Sequence, residues 1–190
     1  MYVSNQYDKI DISYGTYDLP SRPAEDTYLI LDNVKCGKDV LEMGSGSGLI
    51  AITLASQGHN VTAADISPKA VGLIWHNATI NNVHLDIVMS DLFENVHGKY
   101  DTIIFNPPYL PVEAESPQWS GGKDGFAVTG RFLETAHEYL NPGGNIYIVL
   151  SDLTDMESFI KKNTNYEFIK IKSLSFDFEA IVLFELKVRK

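Results

Sequence analysis

From Lys38 onward, short apolar runs alternate with stretches whose apolar positions recur every three or four residues. Alternating strand and helix periods are the pattern of a parallel sheet built from βαβ units. Residues 39–43 predict a first buried strand that runs into a glycine cluster. Residues 49–57 predict a helix stopped by Gly58, a residue type that accepts the left-handed backbone past a helix end. Residues 60–64 predict a second strand. Ser67 and Pro68 then stand as N-cap and first residue of a long helix reaching about Asn81. Residues 85–89, 100–105 and 145–150 read as three more strands. Between the last two, 128–139 has helical spacing and gives way to Asn141-Pro142-Gly143-Gly144, a strong turn signal.

The tail changes pattern. After a helix over about 154–162, two strand-like segments, 166–174 and 180–188, are joined by only a few residues, which predicts antiparallel neighbours. No repeat, low-complexity stretch or linker interrupts the 190 residues. With 44% hydrophobic residues the chain is expected to form one domain over 1–190, with 1–37 as a segment ahead of the first strand.

Charge and cysteine content narrow the function classes. Twenty-five acidic residues against 15 basic give a net charge of −10. A duplex-binding protein displays a basic face, because neutralised phosphates supply most of its affinity, so nucleic acid is disfavoured as the main partner. The one basic stretch, 161–172, reads as solvated lysines at a helix end and an edge strand. A single cysteine, Cys36, excludes a disulfide framework, and no apolar run is long enough for a bilayer. The polar, aromatic N-terminus lacks the pattern of a secretory signal. A cytoplasmic protein is the expectation, with no membrane partner.

Two motifs carry chemistry. The first, Glu42-Met43-Gly44-Ser45-Gly46-Ser47-Gly48, falls between predicted strand and helix. Glycines there permit a sharp turn and close approach of a ligand to the main chain, while the helix start offers unpaired N–H groups. A dinucleotide fingerprint would place its third glycine one residue later, at Leu49. Asp65 ends the second predicted strand, where its carboxylate can accept hydrogen bonds from both hydroxyls of a ribose. Asp91 follows the third strand and is placed to meet an adenine amino group, with Ile66 and Leu92 as apolar walls.

The second motif is Asn106-Pro107-Pro108-Tyr109, directly after the strand 100–105. Two prolines stiffen the turn, fixing the Asn106 carboxamide oxygen and the Pro107 carbonyl as neighbouring acceptors. Such a pair suits a planar –NH2 group with two donors, on which Tyr109 can stack. The lone pair of such a nitrogen is delocalised, so the catalytic task is orientation and electrostatics rather than strong base.

On these motifs the chain resembles the class I S-adenosylmethionine-dependent methyltransferases. Glu42-x-Gly44-x-Gly46-x-Gly48 is similar to their cofactor loop, and Asn106-Pro107-Pro108-Tyr109 to their amino-methylating motif. The resemblance implies an α/β, Rossmann-like fold: a seven-stranded, mostly parallel sheet with an antiparallel last strand and helices on both faces. Pro23-Ala24-Glu25-Asp26-Thr27 and Trp119-Ser120-Gly121-Gly122-Lys123-Asp124-Gly125 resemble signatures of the HemK-like glutamine methyltransferases. The similarity is to the short archaeal and eukaryotic branch, which modifies the glutamine of the Gly-Gly-Gln motif in class I release factors. Bacterial members carry an added N-terminal helical domain, for which the stretch before Asp39 leaves no room. The resemblance implies S-adenosylmethionine as cofactor, a release factor as substrate, and a small zinc-containing activator as a heterodimer partner covering an apolar edge. By the same resemblance, Thr27, Glu42, Gly44, Gly46, Gly48, Asp65, Ile66, Asp91, Leu92 and Asn106 line the cofactor site, with 1–37 capping it. Asn106, Pro107 and Tyr109 hold the target amide.

Rival functions share the second motif. N6-adenine methylation of DNA or RNA uses the same tetrapeptide but needs a basic groove and an extruded base, against the charge found here. Lysine methylation fits less well, because an ammonium must first lose a proton. His59, His76, His84, His97 and His137 lack metal-ligand spacing, so no metal is expected in this chain. Trp75 reads as packing or interface, Trp119 as part of a loop near Tyr109, and Cys36 as inert.

Overall fold

The computed structural model describes residues 10–13, 24–109, 122 and 124–189. Pro23, Trp119, Ser120, Gly121 and Lys123 lie outside the described residues. The elements run α1 (Glu25–Asn33), β1 (Asp39–Met43), α2 (Leu49–Ser56), β2 (Asn60–Asp65), α3 (Pro68–Ile80), β3 (Asp86–Met89), β4 (Tyr100–Phe105) and α4 (Ala127–Ala136). A 3-10 turn over His137–Tyr139, β5 (Leu140–Ser151), α5 (Met156–Lys162), β6 (Tyr166–Ser175) and β7 (Ala180–Val188) complete the order. Ser67 caps α3 by accepting the Ala70 N–H, and Pro68 occupies the first turn, as the sequence predicts.

The seven strands form one sheet in the order β3-β2-β1-β4-β5-β7-β6. Strands β1 to β5 pair in parallel, and β7 runs antiparallel to both β5 and β6. Strand order reverses direction between β1 and β4, and such a switch point opens a crevice at the carboxyl ends of the strands. Met43 pairs with Phe105 across it, so the two motif loops that follow these residues leave the sheet side by side.

Successive side chains of a strand point to opposite faces, and both faces here are covered. Leu41, Ile103, Phe105 and Ile148 pack with Phe132 of α4 and Phe159 of α5. Val40, Ile104, Val149 and Leu183 pack with Ile30 of α1, Ile50 of α2 and Ile74 of α3. Burial on both sides is why the central strands are apolar throughout rather than alternating. No helix among the described residues is long and apolar enough to cross a membrane.

Three element boundaries depart from the expectation by more than one residue. Strand β5 starts at Leu140 instead of Asn145. The Asn141-Pro142-Gly143-Gly144 turn is absorbed as an irregularity: pairing jumps from Tyr100↔Leu140 to Thr102↔Asn145. Asp101 braces it, accepting Asn141 Nδ2 at 2.8 Å on one oxygen and the Lys38 and Asp39 N–H groups at 2.8 and 3.0 Å on the other. Gly144 lies where a Cβ would stand 3.0 Å from three carbonyl oxygens. Helix α5 starts at Met156, because the Asp155 carboxylate caps it by accepting Ser158 N–H at 3.1 Å. Helix α4 ends at Ala136 and tightens into the 3-10 turn.

Candidate active site

Gly44, Gly46 and Gly48 all take positive φ, at 66°, 57° and 82°. A Cβ on Gly48 would also press on Ile74 at 3.1 Å, so this position demands glycine for space as well as backbone. Gly48 is the N-cap of α2 and offers no side chain to its free N–H groups. Glu42 supplies the missing acceptor from below: its Oε2 takes the Ala51 N–H at 2.9 Å. Burial pushes the Glu42 carboxyl up to about 8, opposed by the Ala51 N–H. The structure thus places Glu42 under the loop as its brace.

Asp65 ties the loop to the end of β2. Its Oδ2 accepts the Gly46 N–H at 2.9 Å and its Oδ1 the Ser67 N–H at 2.8 Å. Burial raises its pKa, and these backbone bonds work in the opposite direction. Each carboxylate oxygen has a second lone pair. Beside it Ile66 is 57% exposed, an apolar side chain left against solvent next to the loop.

After β3, Leu92 adopts φ 48°, a left-handed value unusual for a branched side chain. Ser90 holds that turn, its Oγ donating to Leu92 O at 2.7 Å and accepting Asn95 N–H at 2.9 Å. Asp91 projects from the turn into an ion pair with Arg131 of α4 at 3.0 Å. Sequence reasoning missed Arg131, which stands 40 positions away on an ordinary amphipathic helix without a motif.

A further brace comes from the N-terminal segment. Asn81 accepts Asp11 N–H at 2.8 Å and donates to Asp11 O at 2.7 Å. Asn77, one turn earlier on α3, accepts Ser13 N–H at 2.9 Å and donates to Ser13 O at 3.2 Å. Two asparagine amides thus pair with the strap at alternate residues, much as a neighbouring strand would. Asn77 Nδ2 also donates to Ser47 O at 2.8 Å, joining the strap to the glycine loop.

On the other wall, the residue that organises the second motif is Asp26 in the first turn of α1. Its Oδ2 accepts Asn106 Nδ2 at 2.9 Å and the Tyr109 hydroxyl at 3.4 Å. Its Oδ1 accepts the Thr27 N–H at 2.7 Å and the Thr27 hydroxyl at 3.3 Å. Because a carboxylate only accepts, the Asn106 amide is locked with its NH2 toward Asp26. Among the described residues, Asn106 Oδ1 is left buried without a hydrogen-bond partner, a costly state for a polar atom unless something completes it. Pro107 beside it is buried. The Tyr109 phenol is held well above its usual pKa by burial and then by the charges of Asp26, Glu179 and Glu25, so it stays protonated. Gly125, with φ 79°, closes against Tyr109 O and Thr154, where no Cβ fits. Asp26 was quoted in the N-terminal motif, but its role needs a contact across 80 residues to be seen. Among the described residues no His, Cys, Asp and Glu side chains gather into a metal site.

This sheet order, with a glycine loop after β1 and Asn-Pro-Pro-Tyr after β4, defines a class I methyltransferase. The family model for the methyltransferase small domain matches residues 24–173, and the chain belongs to that family, with relatives of the HemK type. A putative protein N5-glutamine methyltransferase of Methanocaldococcus jannaschii is 45% identical over 74% of this chain and 76% of its own length. Methyltransferase HEMK2 of Mus musculus is 36% identical over 79% of this chain and 80% of its own. Among solved structures, the E. cuniculi Mtq2–Trm112 complex, described as responsible for methylation of the termination factor eRF1, superposes with a TM-score of 0.72. That match is 21% identical and covers 89% of this chain and 98% of the other, a likeness of fold.

Proposed function

We propose that this chain is an S-adenosylmethionine-dependent methyltransferase acting on the side-chain amide of glutamine, in the Gly-Gly-Gln motif of a class I release factor. One observation carries the reading: Asn106 Oδ1 is a buried acceptor with no partner among the described residues, oriented by Asp26. An amide NH2 supplies the missing donor, and the Pro107 carbonyl would take its second N–H. Holding both N–H groups orients the nitrogen and disfavours delocalisation of its lone pair, while Tyr109 covers the planar group. The names of the relatives point to the same substrate class.

The residues present fit the cofactor. Asp65 would hold the ribose hydroxyls, Asp91 the adenine amino group, Ile66 and Leu92 the faces of the ring, and Thr27 and the glycine loop the amino-acid end. When bound, S-adenosylmethionine supplies an electrophilic methyl on a sulfonium. The strap latched by Asn77 and Asn81 passes beside this site, and we assign residues 1–37 the role of capping it.

A small zinc-containing activator is the proposed partner; the solved Mtq2–Trm112 complex shows a methyltransferase of this fold paired with a second protein. Its place is the outer edge of the sheet. Among the described residues strand β3 has no neighbour on that side, and an open edge invites a further strand. Trp75, Ile80 and Met89 are 65%, 47% and 55% exposed there. A groove of about 290 Å³ between α3 and β3, lined by Trp75, Val83, Leu85 and Ile87, adds apolar surface. A translation factor as substrate places the enzyme in the cytoplasm.

The test is a labelled methyl-transfer assay, with and without the activator, offering the release factor, its Gln→Ala mutant in Gly-Gly-Gln, and single-stranded DNA. Label on the wild-type factor alone is the expected result. Label on DNA, or equal label on the mutant, overturns the substrate assignment.

A further inference from the structure

The turn joining β6 and β7 presents Phe178 at 92% exposure and Phe176 at 45%, with Leu153 at 46% beside them after β5. Aromatic side chains held out in water next to a functional cleft mark a contact surface, since their area is buried only when a partner arrives. The turn is not loose. Phe176 N–H donates to Glu179 O at 2.6 Å, and Glu179 Oε1 accepts the Ser151 hydroxyl at 2.6 Å. Asp152 Oδ1 accepts the Ala180 N–H at 2.7 Å, and Asp152 N–H returns a bond to Ala180 O at 3.0 Å. Two phenylalanines are therefore displayed from a braced support.

The place of the turn is informative. Strand β7 is antiparallel to β5, so the turn that precedes β7 stands at the carboxyl end of β5, the same end of the sheet as Asn106. Glu179 acts on the Tyr109 phenol, and Thr154 and Tyr109 O meet at Gly125. The aromatic turn is thus continuous with the cradle for the target amide.

Among the described residues of the turn and its support, the charge is one-sided. Exposed Asp177 lies between the two phenylalanines in the chain and exposed Asp152 bonds Ala180 at the base of the turn, with Glu179 tied to Phe176 and Ser151. Residues 151–160 and 173–186 contain no Lys or Arg. A polyphosphate chain would be repelled, and so would a second copy bringing its own carboxylates.

We propose that the β6–β7 turn is the docking element for the substrate protein. It takes a segment that carries apolar and basic side chains close to the methylated glutamine. This rests on the reading of the chain as a protein-glutamine methyltransferase and adds how that protein is chosen: Phe178 and Phe176 supply contact area, and the carboxylates supply charge selection.

The experiment compares Phe178→Ala, Phe176→Ala and Asp177→Lys with wild type, using the complete enzyme with its activator. Methylation kinetics are read on the whole release factor and on a short Gly-Gly-Gln peptide too small to reach the turn. Binding of the factor is measured in parallel. Phe178→Ala is expected to raise KM for the factor about tenfold with kcat unchanged, and to leave the peptide kinetics as they were. Asp177→Lys should also raise KM for the factor, with the difference from wild type shrinking in high salt. Wild type that methylates the factor while both Phe variants keep its KM overturns the docking role alone. Wild type that neither binds nor methylates the factor overturns docking and the substrate assignment together.

Discussion

On the cofactor side of the crevice, the polar groups that shape the glycine loop are tied to one another: Glu42 to Ala51, Asp65 to Gly46 and Ser67, Asn77 to Ser47. On the target side, Asn106 Oδ1 is left without a partner and two phenylalanines stand in water. The other buried orphan atoms among the described residues, Thr53 Oγ1 and Thr129 Oγ1, sit inside helices α2 and α4 rather than at a loop. A half that receives the same small molecule at every turnover is best prebuilt, because preorganised donors and acceptors need no rearrangement. A half that receives a macromolecule can leave acceptors and apolar surface to be completed by it. The contrast predicts that changes on one side disturb one substrate and spare the other.

The largest effect is expected from Asn106→Ala. Removing the acceptor proposed to orient the amide should lower kcat by about 10²–10³-fold, as for other single groups that act in the transition state. Cofactor affinity, measured by calorimetry with S-adenosylhomocysteine, should stay within about threefold. Near-normal turnover would remove Asn106 from the mechanism. Collapse of cofactor affinity would break the separation of the two halves.

Next comes the brace under the loop. Burial lifts the Glu42 carboxyl from its usual range to about 8, so the folded state holds a proton that the unfolded chain releases near 4.5. A raised carboxylate contributes stability in full below that lower value, and the contribution falls as pH rises toward 8. Glu42→Gln keeps an acceptor for Ala51 and cannot ionise. Urea midpoints should therefore show wild type losing ground to Glu42→Gln between pH 5 and pH 8. Parallel pH profiles would show that Glu42 is ionised throughout that range.

Asp65→Ala should act on the same half with a smaller effect. It strips the acceptor from Gly46 and Ser67 and removes the proposed ribose contact, weakening cofactor binding by about 10- to 100-fold. With saturating cofactor, kcat should recover to within a few-fold of wild type. A kcat loss that saturation does not repair would move Asp65 to the chemical step.

These groups were not equally legible in the sequence. The glycine loop, Asp65, Asn106 and the strand pattern rest on local spacing, and β1 and β4 fall within the expected bounds. Contacts that join distant segments were silent. Arg131 meets Asp91 through the packing of α4, Asn77 and Asn81 grip the strap 64 and 70 positions away, and Asp26 reaches Asn106 only once α1 is docked. The bulge in β5 was readable as a turn but not as part of a strand, because the brace comes from Asp101 on β4.

Asp26 provides the finest test, since it touches the target side without being asked to contact the reacting nitrogen. Its carboxylate accepts from Asn106, Tyr109 and Thr27, which allows one orientation of the Asn106 amide. Asp26→Asn keeps the shape and replaces one acceptor with a donor. If that NH2 faces Asn106, the Asn106 amide turns over and offers NH2 where the substrate needs an oxygen; if it faces Thr27, the lock survives in weakened form. The expected result is a fall in kcat of about tenfold, from loss of one charge-assisted hydrogen bond. KM for the release factor and cofactor affinity should be nearly unchanged. In the double variant with Asn106→Ala, the Asp26 substitution should cost far less than it does alone, because only its bonds to Tyr109 and Thr27 remain to be lost. Additive losses would instead assign Asp26 a contact of its own with the substrate amide.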